Sequence, residues 1–443
     1  MVAAVAVLSV VSAVGLFAAD AAFDARFPSA RLSVDAINAR DPLANTSAAF
    51  ARAASGEEVP FRVLFYGQSI IGSGWPEKAM AQLQERHPDI AFQWENRAIG
   101  GYSARRLLRT TPADLADLSP DLIVFHVYGD HDAYEDIVET MLRGSAADIV
   151  LQTDHFGAGQ QGRPAKCDIG LNLLPVRQEG CSGWPFAQQD AWGDFMSFHF
   201  LPALAERHGL AVHHVRRDWG ARLAAEGRAA QDLLSDDIHL SEEGERWMAE
   251  MFVAFLEETA ALQIAQGTAA EPRHETLPLP EPGADGTVSL TVDAVRVEAV
   301  SRAPLGEVSV SVDGTPVADL PECVAHDRVS RMMSDLVWPA TLQVGADAPL
   351  QPETWTARLH DFSADFSDFA FTVTGSLTGE DGSGRSTEDF RSASGRVLLD
   401  ASDWQTQRAA AHMGKPLPDP LEVTWTSRFL CDDLVEVPVG AAR

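Results

Sequence analysis

The strongest constraint on the fold is an alternation of short apolar runs with helical patterns over residues 60–265. The runs at 61–66, 121–127 and 148–152 lack a polar face, which is typical of parallel strands that are buried on both sides. Helical spacing follows the first of these runs at 75–86. The alternation predicts a three-layer α/β domain with a mostly parallel sheet, whose functional groups lie at the carboxyl ends of the strands.

A different pattern begins after a stretch rich in Pro, Gly and Glu at 266–286, which we interpret as a linker. Residues 288–292 and 308–312 alternate with a period of two, and Asp313-Gly314 supplies a hairpin turn after the second run. Strand-like stretches recur between turn residues at 369–373, 395–399 and 421–425. This pattern predicts an all-β, sandwich-like C-terminal domain over 287–443.

The chain begins with an uncharged apolar stretch, and Ala19-Asp20-Ala21 after it fits the small-x-small pattern of a signal-peptidase site. We therefore expect residues 1–22 to be a signal peptide or N-terminal anchor, followed by an extension at 23–59. The expected location is secreted, either extracellular or periplasmic, with a membrane contact only where the leader is uncleaved. Four cysteines fit export, and we expect one disulfide in each region, with four unpaired, buried thiols as the alternative. They are Cys167 and Cys181, then Cys323 and Cys431.

The formal net charge is −30, and its acidic residues are spread along the chain. Such a charge repels phosphate backbones and anionic lipid surfaces. Nucleic acid is therefore excluded as an expected partner.

A first polar motif stands directly after the apolar run at 61–66. Gly67-Gln68-Ser69 precedes two further glycines and a predicted helix, so the Ser69 hydroxyl is expected at a strand-to-helix turn. Glycines allow a tight turn, and helix starts offer backbone N–H groups to a developing oxyanion. The structural alternative is that Ser69 is only a helix cap.

Two more motifs follow extended segments. Asn96 opens a block that ends in Gly100-Gly101 and can direct a backbone N–H into a cleft, although a plain turn would have the same composition. Gly129-Asp130-His131-Asp132 follows the most apolar run, where a side-chain donor at His131 could reach the same oxyanion. Its structural alternative is a solvated acidic loop.

A fourth motif, Asp236-Asp237-Ile238-His239, pairs a carboxylate with an imidazole three residues later. One turn brings the two groups together, and the carboxylate then fixes the tautomer of the ring. His239 could accept the Ser69 proton through its other nitrogen, and Asp236 would stabilise the resulting imidazolium.

In this order, the four motifs resemble the SGNH (GDSL-like) hydrolase family over about residues 60–262. The resemblance implies a flavodoxin-like α/β/α fold and ester hydrolysis through an acyl-enzyme, without cofactor or metal. It implies Ser69 as nucleophile, Asp236 as orienting acid and His239 as general base, with Ser69, Gly101 and His131 as the oxyanion hole. At His131 the family pattern has Asn, so the imidazole replaces an amide as donor. A shift of the block by one place would instead bring Asp130 or His126 to the cleft.

The resemblance and the predicted export favour a secreted serine esterase, with an acetylated polysaccharide or oligosaccharide as its substrate. One alternative is a carbohydrate-binding protein with a degenerate hydrolase domain, in which tryptophans stack on sugar rings. Five tryptophans are candidates for this role: Trp75, Trp184, Trp338, Trp355 and Trp404.

A second alternative is a metal-dependent phosphoesterase, because Gly129–Asp132 also resembles the GNHD motif of that group. Its additional ligands would be His126, Asp154, His155 and His239.

Overall fold

The structure is a computed structural model of the 443-residue chain. It describes residues 42–118, 120–158, 193, 196–267, 280–289, 291, 299–301, 311–312, 314–316, 324–429 and 434–436. The predicted leader at 1–22 and all four cysteines lie outside these residues, so export and disulfide pairing stay predictions. Among the helices that are described, none is long and apolar enough to cross a membrane.

The chain divides into two compact units that are not contiguous in sequence. The first unit comprises residues 1–98, 120–131 and 147–275. The second unit comprises residues 99–119, 132–146 and 276–443.

The first unit contains a five-stranded sheet in the order β2-β1-β3-β4-β5, in which every neighbouring pair is parallel. This arrangement confirms the predicted α/β fold. All five residues of the third and fourth strands are buried, as expected for parallel strands covered on both faces. The strands are β1 Val59–Gly67, β2 Ile90–Asn96, β3 Leu122–His126, β4 Asp148–Gln152 and β5 Ala211–His213.

Helices alternate with these strands along the chain. They are α1 Ala44–Ala54, α2 Trp75–Arg86, α3 Ala104–Asp117, α4 His131–Gly144, α5 Leu201–His208, α6 Val215–Glu226 and α7 Glu242–Gln266. A π-helical turn, Met196–Phe200, precedes α5, and a 3₁₀ turn, Ala230–Leu233, follows α6. Helix α3 and most of α4 belong to the second unit.

One face of the sheet packs against α1, α2 and α7. At its centre Phe65 of β1 meets Trp75 of α2 and Phe252 of α7, with ring centroids 5.4 and 5.9 Å away. All three rings are fully buried. Large aromatic rings in edge-on contact make a major contribution to a core, and this cluster fixes α2 and α7 against the first strand.

The residues at the two ends of α7 explain where the helix begins and ends. The Ser241 hydroxyl caps the helix by accepting a hydrogen bond from the backbone N–H of Gly244 (3.2 Å), and glutamates occupy the first turn. Negative charge there is favourable because it faces the positive end of the helix dipole. Gly267 ends the helix in the left-handed conformation, with φ of 63°.

The second unit consists mostly of strands, as predicted for the C-terminal part. Its largest sheet has five strands in the order β14-β13-β12-β17-β9, all antiparallel. A short helix, α8 Thr406–Met413, precedes the long strand β17. The strands are β6 Ala299–Ser301, β7 Ser311–Val312, β8 Thr315–Pro316, β9 Val324–His326, β10 Arg331–Met333, β11 Leu336–Pro339, β12 Glu353–His360, β13 Ala370–Gly375, β14 Gly379–Arg385, β15 Phe390–Arg391, β16 Leu398–Leu399, β17 Leu421–Phe429 and β18 Leu434–Glu436.

Three strand predictions for the C-terminal part had different outcomes. The hairpin predicted after residues 308–312 is present, since β7 and β8 pair antiparallel with Val312 opposite Thr315. The stretch 395–399 is strand only at β16, because Gly395 turns the chain with φ of 73°. At 288–292 the described residues 288, 289 and 291 lie outside any strand.

Three of the tryptophans considered for sugar stacking are core residues. Trp75, Trp338 and Trp355 are at most 2% exposed, so their faces are not available to a ligand. Trp404 packs edge-on against Phe369, with ring centroids 5.0 Å apart. Trp184 lies outside the described residues.

Gly67, the last residue of β1, is required by its surroundings. Its φ is 153°, and a Cβ atom at this position would stand 2.0 Å from the carbonyl oxygen of His126 on the neighbouring strand. We expect Gly67→Ala to lower the free energy of unfolding by roughly 2 kcal/mol or more, measured by urea denaturation.

Gly72→Ala is the matched control in the same loop. A Cβ atom at Gly72 would meet its nearest neighbours at 3.5 Å or more, which is ordinary contact. Equal urea midpoints for the two variants would contradict the close approach of β1 and β3 at Gly67.

Candidate active site

Ser69 lies two residues beyond the end of β1, at the carboxyl edge of the sheet. The loop is anchored by Gln68, whose backbone N–H donates to the carbonyl of His126 on β3 (3.3 Å) and whose own carbonyl accepts from Gly72 (2.8 Å). The Gln68 side chain is buried, and its Oε1 accepts from the backbone N–H of Ile70 (3.2 Å). These contacts leave the Ser69 side chain partly exposed.

Asp236 and His239 lie in a tight turn before α7. The turn is closed by the backbone N–H of Ser235, which donates to the carbonyl of His239 (2.8 Å). Asp236 Oδ1 accepts from the backbone N–H groups of Ile238 (2.8 Å) and His239 (2.7 Å). The carboxylate therefore holds the backbone of the turn as well as its histidine ring.

The structure brings Ser69, Asp236 and His239 together. His239 Nδ1 lies 2.7 Å from Asp236 Oδ2, and its Nε2 lies 2.9 Å from Ser69 Oγ. A carboxylate can only accept, so Nδ1 carries the proton and Nε2 presents a lone pair to the serine hydroxyl. This is the order of donors and acceptors that a serine nucleophile and its base require.

The Ser69 hydroxyl has a second acceptor within reach, because Gln68 Oε1 lies 2.7 Å from Ser69 Oγ. A hydroxyl has one proton to donate, so His239 and Gln68 compete for it. Both acceptors are fixed by their own contacts. The oxygen is therefore confined to one position beside the imidazole.

The hydrogen bonds of the turn set the electrostatics of Asp236. The backbone N–H of His239, its imidazole and the backbone N–H of Ile238 hold the pKa of Asp236 well below its usual range. The carboxylate is therefore ionised at neutral pH. Because the folded pKa is lowered, its stabilising effect is present above the unfolded value of about 3.9 and is lost as the pH falls below that value.

Two further contacts hold the serine loop. Asn96, the last residue of β2, donates from Nδ2 to the carbonyl of Ile71 (2.7 Å). Glu245 in the first turn of α7 accepts from the backbone N–H of Gly74 (2.7 Å) and from Lys78 Nζ (2.7 Å). Glu245 thus joins the loop that carries Ser69 to the helix that follows His239.

The two other predicted oxyanion donors, Gly101 and His131, lie in segments other than the loop that carries Ser69. Gly101 belongs to the second unit, is exposed and has φ of 75°. His131 is the first residue of α4, and its ring packs edge-on against Phe200, with centroids 4.8 Å apart. Both roles stay predictions, and so does the shifted assignment to Asp130 or His126.

The residues considered for a metal-dependent phosphoesterase do not form a ligand set. Among the described residues, no three of His126, Asp154, His155 and His239 bring ligand atoms within 4.8 Å of one another. His126 Nδ1 and His155 Nε2 instead face the backbone carbonyls of Gln152 (3.0 Å) and Ile238 (2.7 Å). Both nitrogens therefore carry protons and are not available to a metal.

Two side chains at this edge of the sheet, Gln68 and Glu245, were not assigned roles from the sequence, and a third, His155, was considered only as a metal ligand. Gln68 stands inside the serine motif, and Glu245 stands four residues after the helix cap Ser241, where acidic residues are common. His155 follows the end of β4, a position that attracts functional groups in parallel sheets. The position of each residue in the sequence could have pointed to a role. The contacts could not be predicted, because they join residues that are distant in sequence.

No protein-family model matches the chain, and no curated protein matches it. Solved structures do match part of it. An acetyl xylan esterase, AlAXEase, is 17% identical with a TM-score of 0.32, and the match covers 44% of this chain and 99% of the esterase.

Two further structures match at a similar level. A GDSL-like lipase from Parabacteroides merdae is 17% identical with a TM-score of 0.33, covering 46% of this chain and 98% of the lipase. The acetylxylan esterase Axe2 from Geobacillus stearothermophilus is 16% identical with a TM-score of 0.34, covering 45% and 96% respectively. Similarity at this level identifies neither a substrate nor an activity. The chain's own sheet order is that of a flavodoxin-like α/β fold, with Ser69 directly after the first strand.

The hydrogen bonds to Asp236 predict a lowered pKa of its carboxyl group, which can be measured. We expect its carboxyl group to titrate well below about 3.9 in carbon-13 NMR spectra. His239→Ala removes the imidazole but keeps both backbone donors, so the midpoint should rise only part of the way.

Asp237→Asn is the control, since it leaves all three hydrogen bonds to Asp236 in place. A wild-type midpoint near 3.9 would contradict the geometry of the turn.

Proposed function

We propose that this protein is a serine esterase that hydrolyses carboxylic esters through an acyl-enzyme. The observation that carries the proposal is the pair of contacts made by His239, with Nε2 at 2.9 Å from Ser69 Oγ and Nδ1 at 2.7 Å from Asp236. A degenerate hydrolase domain would have no need to keep all three groups in this order. The same triad logic recurs in acyl transfer on unrelated folds.

In the first half of the reaction, Ser69 Oγ attacks the acyl carbon of the ester while His239 Nε2 takes its proton. The carbonyl oxygen becomes an oxyanion in the tetrahedral intermediate. His239 then returns the proton to the departing alcohol, and the acyl group stays on Ser69. Asp236 remains ionised and stabilises the imidazolium throughout.

In the second half, His239 removes a proton from water, which attacks the acyl-enzyme. The acid leaves and the proton returns to Ser69. The backbone N–H of Ser69 makes no hydrogen bond within the described part of the chain, which suits an oxyanion donor. Gly101 and His131 are proposed as the other two donors.

For the substrate we propose an acetylated carbohydrate, with acetate as the acyl product. The side chains of His239 and Asp236 are 42% and 55% exposed, so the reacting ester is not confined to a deep tunnel. An open site admits a small acyl group that is attached to a bulky alcohol such as a polysaccharide. The net charge of −30 also disfavours strongly anionic substrates. A secreted location is part of the same proposal and rests on the apolar leader.

The serine mechanism is tested with p-nitrophenyl acetate. We expect Ser69→Ala to lower kcat by about 10⁴-fold or more, because the nucleophile is lost, and we expect EDTA to leave the wild-type rate unchanged. Ser73→Ala is the matched control, since Ser73 lies in the same loop and only donates to the carbonyl of Ile70 (2.9 Å). A Ser69→Ala variant that keeps more than about a tenth of the rate would overturn the proposal.

The substrate class is tested separately, by acetate release from acetylated xylan and from its oligosaccharides. We expect the wild type to release acetate from both and Ser69→Ala to release none, because both substrates need the same acyl-enzyme. If the wild type hydrolyses p-nitrophenyl acetate but releases no acetate from either carbohydrate, the proposed esterase activity stands and the proposed carbohydrate substrate is wrong.

A further inference from the structure

A buried polar cluster lies beside the proposed triad, at the carboxyl end of β4. Asp154 Oδ1 accepts from the hydroxyl of Tyr128 (2.8 Å) and from the backbone N–H of His155 (3.0 Å). His155 Nδ1 lies 3.2 Å from the same oxygen. The His155 side chain is fully buried and that of Asp154 is 11% exposed. Groups this far from water are retained only where partners satisfy them.

The charge of Asp154 is sustained by its neighbours. Burial alone would raise its pKa, but the His155 side chain, together with His126 and Arg216 nearby, lowers the pKa of Asp154 to about 2. His126 Nε2 lies 3.7 Å from Asp154 Oδ1. At neutral pH the cluster therefore holds an ionised carboxylate against the His155 ring.

The opposite side of the His155 ring faces the triad turn. Nε2 lies 2.7 Å from the backbone carbonyl of Ile238, which can only accept, so Nε2 donates. Ile238 is the residue directly before His239. A second hydrogen bond runs beside it, from the backbone N–H of Ala158 to the carbonyl of Asp237 (2.8 Å). Both residues between the proposed acid and base are thus tied to the segment that follows β4.

His155 is itself held on several sides. Arg216 Nη1 donates to the backbone carbonyl of His155 (3.0 Å), and the Arg216 backbone N–H donates to Thr153 Oγ1 (3.0 Å). The ring of Trp219 meets the imidazole edge-on, with centroids 5.6 Å apart. The donor that faces Ile238 therefore has little freedom to move.

We propose that His155 is a positioning residue that fixes the Asp236–His239 turn through the carbonyl of Ile238, while Asp154, itself held by Tyr128, binds the backbone N–H of His155. The turn needs such an anchor because its two functional side chains are about half exposed. The hydrogen bonds within the turn fix its shape, whereas the hydrogen bond from His155 fixes the position of the turn relative to the sheet and to Ser69. The consequence for catalysis rests on the proposed esterase function, but the effect on the turn does not.

The test compares His155→Phe, which removes the donor and keeps an aromatic ring, with His155→Gln, whose amide can donate near the position of Nε2. A displacement of about 1 Å can cost up to about 100-fold in rate. We therefore expect His155→Phe to lower kcat for p-nitrophenyl acetate by about 10- to 100-fold with little change in KM. We expect His155→Gln to recover most of this loss.

His213→Phe is the matched control, because His213 is equally buried on the neighbouring strand β5 and stacks on Phe255. It should keep the wild-type kcat. Tyr128→Phe is a milder second variant for the case in which His155→Phe does not fold, and it should lower kcat by several-fold through the loss of one hydrogen bond to Asp154.

Amide hydrogen exchange in the peptide 235–241 is the readout independent of activity. Faster exchange in His155→Phe than in the wild type and in His213→Phe supports the positioning role. Unchanged exchange overturns it, as does a His155→Gln variant that is as slow as His155→Phe. If the wild type lacks esterase activity, the proposed function fails, and the exchange comparison still decides whether His155 positions the turn.

Discussion

The parallel pairing of β1 between β2 and β3 is the constraint on which the site depends. In this register Gly67 stands against His126, so close that no side chain fits between the strands. The carboxyl ends of the strands then meet at one edge of the sheet, and the chain leaves β1 directly into the loop that carries Ser69. Every polar contact of the site is built on this edge, because parallel strands bring the residues that follow them to the same side.

The proposed base, His239, lies at that edge in a turn. Hydrogen bonds inside the turn and from the segment after β4 stabilise it. Within the turn, one carboxylate, Asp236, accepts from two backbone N–H groups and from the imidazole. Behind it, His155 and Ala158 donate to consecutive carbonyls. Glu245 fixes the serine loop from the other side. Such supporting contacts matter because proton transfer is sensitive to displacements well below the size of a side chain.

The second unit consists mainly of antiparallel strands and contains ion pairs of its own. Arg109 of α3 forms paired hydrogen bonds with Asp403 at 3.2 and 2.6 Å, and burial of Asp403 raises the pKa of that carboxyl in spite of the arginine. These contacts tie α3 to the β-rich part of the chain. Residues 99–119, which lie inside the range 60–265 predicted for the α/β domain, thus pack with residues from the C-terminal third.

Sequence patterns alone predict the alternation of strands and helices in the first unit, and they single out Ser69, Asp236 and His239 as the candidate catalytic residues. Local patterns suffice for this, since apolar runs, helical periodicity and the spacing of Asp236 and His239 act over a few residues. Helix α2 begins and ends where its pattern predicted, whereas 395–399 did not form a full strand because Gly395 turns the chain. The folded chain was needed to reveal the sheet order, the 2.9 Å contact between Ser69 and His239, and the contact of His155 with the carbonyl of Ile238, since sequence reading had treated His155 as a metal ligand. The physical reason is that these contacts join residues up to 170 positions apart, and no local pattern encodes which distant carbonyl or hydroxyl a buried donor will meet.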